Sequence, residues 1–169
     1  GGGGGGRGRG AAGRGGGAAA RRRGGSAATG AAATDAAAER LMQSKISNDD
    51  VLDVLRFWYF KANSRRQNVL PDGSTFVHSD TLGCVRTTVG TVVVTRNTTK
   101  YHNVFQLFCR WLAEHQPKFA MKFTFTSISV NYGYAAKKHR DAFNDGPSIS
   151  ASFGDIRGGR LLYWPDDNG

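Results

Sequence analysis

The chain reads as an α+β domain preceded by a low-complexity tail. Three observations lead there. Two segments repeat apolar residues at helical spacing, a β-branched run lies between them, and the last third alternates apolar and small polar residues. Helices followed by successive strands place the helices to one side of a β sandwich or barrel formed towards the C-terminus.

Residues 1–34 are almost entirely Gly, Ala and Arg, with no acid and no large apolar side chain. Such a stretch cannot bury enough surface to offset chain entropy, so it is expected to be a disordered tail. Six arginines lie in it (Arg7, Arg9, Arg14, Arg21, Arg22, Arg23), and removing them from the formal net charge of +10 leaves +4. More than half of the basic excess therefore belongs to the tail.

Residues 35–169 form the expected domain, with helical support over about 40–118 and a β core over about 119–169. Residues 35–45 are Ala-rich and helix-prone but carry few anchors. Ser47 reads as a helix N-cap, with Asp49 and Asp50 in the dipole-favoured first turn. Ile46 and Val51 suit a hydrophobic staple. Val51, Leu52, Leu55, Trp58 and Tyr59 share one helical face, which predicts a helix ending near Asn63. Pro71-Asp72-Gly73 signals a turn.

Thr87–Arg96 is rich in β-branched residues and predicts a strand. Asn97-Thr98-Thr99 offers caps for a second helix, whose face is Val104, Phe105, Phe108, Trp111 and Leu112 and whose end is marked by Pro117. Phe123 and Phe125 then alternate with threonines. Apolar parity switches to Ile128 and Val130, which implies a bulge near Ser127 or burial on both faces. Ile149, Ala151 and Phe153 alternate with serines and predict a strand; Asp155–Gly159 predicts a turn, and Arg160–Trp164 a further strand.

No apolar run approaches the length of a membrane span, and no signal-peptide core is present. Cys84 and Cys109 sit in unrelated contexts and read as reduced thiols of an intracellular protein, nuclear or cytoplasmic. The Arg-rich, acid-poor start is also compatible with organelle targeting. The chain begins with Gly and stops at a turn-like Pro165-Asp166-Asp167-Asn168-Gly169, so a fragment at both ends is expected.

The chemistry-bearing feature is His139-Arg140-Asp141. On an extended segment, positions i and i+2 point to the same side. An imidazole and a carboxylate there are two-thirds of the 2-His-1-carboxylate face that holds non-haem Fe(II). Asn144-Asp145-Gly146-Pro147-Ser148, Gly154-Asp155 and Gly158-Gly159-Arg160-Leu161 follow it. In this order, over roughly 122–169, these elements resemble the Fe(II)/2-oxoglutarate-dependent dioxygenase superfamily, most closely its TET/JBP-like branch. The alternative for His139 and Asp141 is an ordinary surface pair beside Lys137, Lys138 and Arg140.

The resemblance implies a double-stranded β-helix, jelly-roll-like and only partly present in this chain. It implies His139 and Asp141 as metal ligands, with Fe(II) and 2-oxoglutarate as cofactor and co-substrate. Asn131 and Tyr134, before the motif, are implied as co-substrate contacts, with packing or turn roles as the alternative. Arg140 and Asn144 are implied as substrate contacts. A second His and a cation for the far carboxylate of 2-oxoglutarate are expected beyond residue 169. His78, His102 and His115 all precede the motif and are poor substitutes, and Arg157 and Arg160 lie too close to the turn.

TET/JBP-type enzymes oxidise a pyrimidine methyl group, which requires an extruded base. Nucleic acid is thus the expected partner, with Lys137, Lys138, Arg140 and Arg65-Arg66 as candidate phosphate contacts. The Arg/Gly tail is a second candidate arm or a plain linker. Two other readings stay open: a hydroxylase of a protein side chain or small molecule, and a non-catalytic nucleic-acid-binding protein.

Overall fold

The computed structural model describes residues 27–118, 123–140, 146–158 and 161–162, and its elements begin where local sequence is most explicit. The Ser47 hydroxyl accepts from the Asp50 amide at 3.1 Å, and the Asp50 carboxylate accepts from the Ser47 amide at 2.8 Å. This capping box starts helix α2 (Asn48–Phe57) as expected. Ile46 and Val51 are both buried in the main core. The helix ends at Phe57 rather than near Asn63. Trp58 turns extended (φ −66°, ψ 128°), and its indole is wholly buried. Tertiary contacts of that ring override the helical spacing, leaving Tyr59 exposed.

Helix α1 (Ala27–Leu41) begins inside the stretch expected to be tail. Ala31, Thr34 and Ala38 form its buried face, and their small size lets it lie close to its neighbours. The Thr34 hydroxyl donates to Phe57 O at 3.2 Å. Asp35 Oδ1 accepts from the Asn103 and Val104 amides at 2.7 and 3.1 Å. Composition alone misses this, because the partners lie far along the chain. Residues 1–26 lie outside the described residues.

Thr95 caps the short helix α3 (Arg96–Lys100). Helix α4 (His102–His115) follows; its N-cap, Tyr101, makes no side-chain cap bond, so Asp35 supplies the missing acceptor from α1. Val104, Leu107 and Phe108 are buried. Phe105 and Trp111 pack at the margin, and the helix stops before Pro117 as predicted.

The sheet is antiparallel with four strands. Strand β2 (Val77–Arg86) is central and pairs with β1 (Ala62–Asn63), β3 (Val92–Val94) and β4 (Ser127–Tyr132). The strand predicted at Thr87–Arg96 is therefore corrected. Thr87–Thr91 is a hairpin turn closed by Thr87 N to Thr91 O at 2.8 Å, with Gly90 at φ 88°. Only Val92–Val94 continues as strand. The β2–β4 register runs unbroken from His78↔Tyr132 to Gly83↔Ser127, so no bulge forms at Ser127. The parity change marks the start of the strand, and Phe123 stacks on Phe125 ahead of it.

One sheet face meets the helices through Leu82, Ile128 and Val130. The opposite face carries Ser79 and Asn131, which are register partners. Among the described residues no strand follows Tyr132. The strand predicted at Ile149–Phe153 does not form; Phe153 instead meets Trp111 edge-on at 5.0 Å, and Gly154 (φ 96°) lies against Leu52. Arg160 and Tyr163–Trp164 lie outside the described residues. The α+β class holds, and within the described residues its β part is this four-stranded sheet. No described helix is long and apolar enough to cross a membrane.

Gly83 holds the crossing point of the sheet. Its φ is 90°, its amide donates to Thr98 Oγ1 at 2.6 Å, and its carbonyl accepts from Thr95 N at 2.9 Å. An added methyl would run into the Thr126 carbonyl and stand 2.9 Å from Ser127 Cα. Gly83→Ala is expected to destabilise the chain by about 2–4 kcal/mol, from positive-φ strain plus backbone overlap. Denaturant unfolding checks this; a loss below about 0.5 kcal/mol would show that the crossing relaxes freely.

Candidate functional site

His139 lies in the exposed segment after β4. Its Nδ1 is 2.8 Å from Lys137 O. A carbonyl only accepts, so Nδ1 carries the hydrogen, and in the neutral ring Nε2 bears the lone pair. This is the tautomer a histidine needs to ligate through Nε2, with its other nitrogen held by a backbone acceptor. Arg140 is also exposed. Asp141 and Asn144 lie outside the described residues, so the expected convergence of His139 with Asp141 falls there too. Among the described residues no three His, Cys, Asp or Glu side chains gather to hold a metal. His102 pairs with Gln106 at 3.0 Å, and His115 bonds Trp111 O at 2.9 Å, which engages both along α4.

Asn131 and Tyr134 are brought together. The Tyr134 hydroxyl donates to Asn131 Oδ1 at 3.1 Å, and Arg66 Nη1 lies 3.4 Å from the same oxygen. Arg66 Nη1 also donates to the buried Ser79 hydroxyl at 3.0 Å. Tyr134 packs on the small second core of Val69, Leu70 and Val77. This links the 65–70 segment to the helix-free sheet face, where Arg66 had been read only as a phosphate contact. Ser79 had no sequence signal, because V-H-S-D-T-L lacks the β-branched density of a strand.

The other missed group is Asp80, on the helix-facing side. The Trp58 indole donates to Asp80 Oδ2 at 3.3 Å, and Asn97 Nδ2 donates to Oδ1. Burial lifts the Asp80 carboxyl above its ordinary value of 3.8. The bonds from Trp58, the Thr81 backbone and Asn97, with the Lys61 charge, pull it down and offset burial only in part. Burial also pushes the Tyr101 phenol up, helped by the Asp80 charge. Cys84 and Cys109 are free thiols, and burial raises Cys109, which makes it a poor nucleophile.

Comparison with family models, curated proteins and solved structures finds no match to the chain.

Because the folded state raises the Asp80 pKa, the protonated form is favoured in the fold. That contribution to stability is complete below the unfolded value and disappears as pH rises through the folded one. Relative to Asp80→Asn, which does not titrate, the parent is expected to lose stability as pH rises from just below 3.8 through the acid range. Denaturant unfolding of both proteins across that range measures the difference. A constant difference, or one that grows in favour of the parent, would exclude the burial penalty.

Proposed function

We propose that the chain is part of an Fe(II)/2-oxoglutarate-dependent dioxygenase of the TET/JBP-like kind, which hydroxylates a C–H bond on the methyl group of a nucleic-acid base. The observation that carries this reading is His139-Arg140-Asp141 with the ordered Asn144, Gly154-Asp155 and Gly158-Gly159 elements behind it. The Lys137 carbonyl on His139 Nδ1 supports it, because that bond directs Nε2 to ligand duty. The positive φ of Gly154 and Gly158 suits the tight connections the motif requires.

His139 and Asp141 fit the metal as one nitrogen and one oxygen donor. Bound iron with 2-oxoglutarate supplies the oxidising chemistry. The chain's own residues position it. Lys137 O sets the His139 tautomer. Asn131 and Tyr134 present a preformed amide–phenol pair to the co-substrate, steadied by Arg66. Arg140 and Asn144 are assigned to the substrate by the motif alone. In this reading β2 and β4 belong to one sheet of a double-stranded β-helix. Its interior is the small, polar Ser79–Asn131 face, and the setting is intracellular.

The non-catalytic nucleic-acid-binding reading is favoured by one observation, the exposed basic run of Lys137, Lys138 and Arg140 around His139. Succinate release from 2-oxoglutarate separates the two, measured on the chain and on a version extended downstream. The enzyme reading expects no turnover by these 169 residues alone. In the extended version it expects Fe(II)-dependent turnover that falls to background in His139→Ala and Asp141→Ala, with Co(II) binding weakened at least tenfold in both, as loss of a ligand demands. Turnover that survives either substitution, or no turnover in the extended chain, rejects it.

A further inference from the structure

A cavity of about 340 Å³ opens where β2 begins and β4 ends. Phe76, His78, Tyr132 and Tyr134 line it beside the Gly73–Thr75 turn, and no lining residue is acidic. Tyr132 stacks one face on Phe60, with centroids 5.3 Å apart and planes at 21°, yet 56% of the residue is exposed. Phe76 is 45% exposed and meets His78 edge-on at 5.3 Å. His78 Nδ1 is buried with no hydrogen-bond partner among the described residues. An orphaned ring nitrogen of this kind is uncommon, because leaving it unpaired costs about 1–3 kcal/mol.

The rings are held by packing on one side and open on the other. They can stack a planar ring with little further loss of side-chain freedom. A flat aromatic ring matches the open faces of Tyr132 and Phe76 better than an aliphatic ligand does. The charge beside the cavity points the same way. Tyr134 shares Asn131 with Arg66, and Arg66 uses Nη1 on Ser79 and Asn131, which leaves the rest of its donor fork for an anion. Arg65 is exposed next to it. A nucleotide combines such a ring with such an anion, and in a single strand the ring faces are open, whereas in a duplex neighbouring bases cover them.

We infer that this cavity is a base-stacking site for single-stranded nucleic acid, with a base on Tyr132 and Phe76 and the adjoining phosphate on Arg66. The site borders the proposed co-substrate pair through Tyr134 and Arg66, but its stacking rings, Tyr132 and Phe76, have no part in the iron reading.

Fluorescence anisotropy of a labelled oligothymidylate on the full chain, without iron or 2-oxoglutarate, tests it. Tyr132→Leu and Phe76→Leu are each expected to weaken binding about tenfold. Arg66→Gln should reduce the salt dependence by about one phosphate contact. Circular dichroism and the melting temperature confirm that each variant is folded. Equal affinity in the two aromatic variants overturns the site, and so does binding lost on deleting residues 1–26 but kept in those variants. Thymidine monophosphate competing as well as the oligomer would reject the single strand in favour of a free nucleotide. Binding that behaves as expected in a protein that never turns over 2-oxoglutarate would keep this site and reject the enzyme.

Discussion

The hydrogen bond from the Trp58 indole to the Asp80 carboxylate joins the helices to the sheet, and most of the architecture follows from it. Trp58 is the residue that ends α2, and its ring stacks on Tyr101, the residue that opens α4, at 4.1 Å. Phe60 and Phe108 close round it at 6.1 and 6.3 Å. Two helix termini and the central strand therefore meet at one indole. A bond to a charged acceptor is worth about 1.5–3 kcal/mol, and burying the acceptor opposes it. Asn97 supplies the second donor that keeps the carboxylate satisfied, and so ties α3 to the same point.

With the helices fixed on one side, the sheet acquires two unlike faces. Leu82, Val130 and Ile128 serve the core, while Ser79 and Asn131 turn to the side the helices leave uncovered. Arg66 crosses that face and links it to Tyr134. Arg66, Ser79, Asn131 and Tyr134 thus gather on that side, toward the end of the sheet where β2 begins and β4 ends. Gly83, at the other end, lets Thr98, Thr95 and Thr126 approach the backbone together, and no residue with a Cβ would serve there.

Site legibility followed the range of the interactions. The bond on His139 Nδ1 comes from a carbonyl two residues away, a range that local sequence can reach. The pairing of Asn131 with Tyr134 is also short-range. Arg66, Ser79 and His78 were harder. Arg66 and Asn131 are 65 positions apart, and only the strand register brings Ser79 opposite Asn131. His78 gains its meaning from Phe76 and Tyr132 around it, not from its sequence neighbours.

By itself the sequence determined what is decided within about one turn. The Ser47 cap with its acidic first turn, the Pro71-Asp72-Gly73 turn, the α4 face and its end before Pro117 were all readable, because each rests on caps, fixed φ values or a 3.6-residue period. The α+β class follows from those elements. Tertiary structure decided the rest. It ended α2 at Phe57 because Trp58 had a better place in the core. It made a helix of Ala27–Leu41 because Asp35 and Thr34 found partners on α4 and α2. It placed the central strand at Val77–Arg86, where intrinsic propensity is modest and pairing on both edges supplies the stability. It also laid Phe153 on Trp111 instead of extending a strand there, since burial against α4 outweighs an alternating pattern with no partner strand among the described residues.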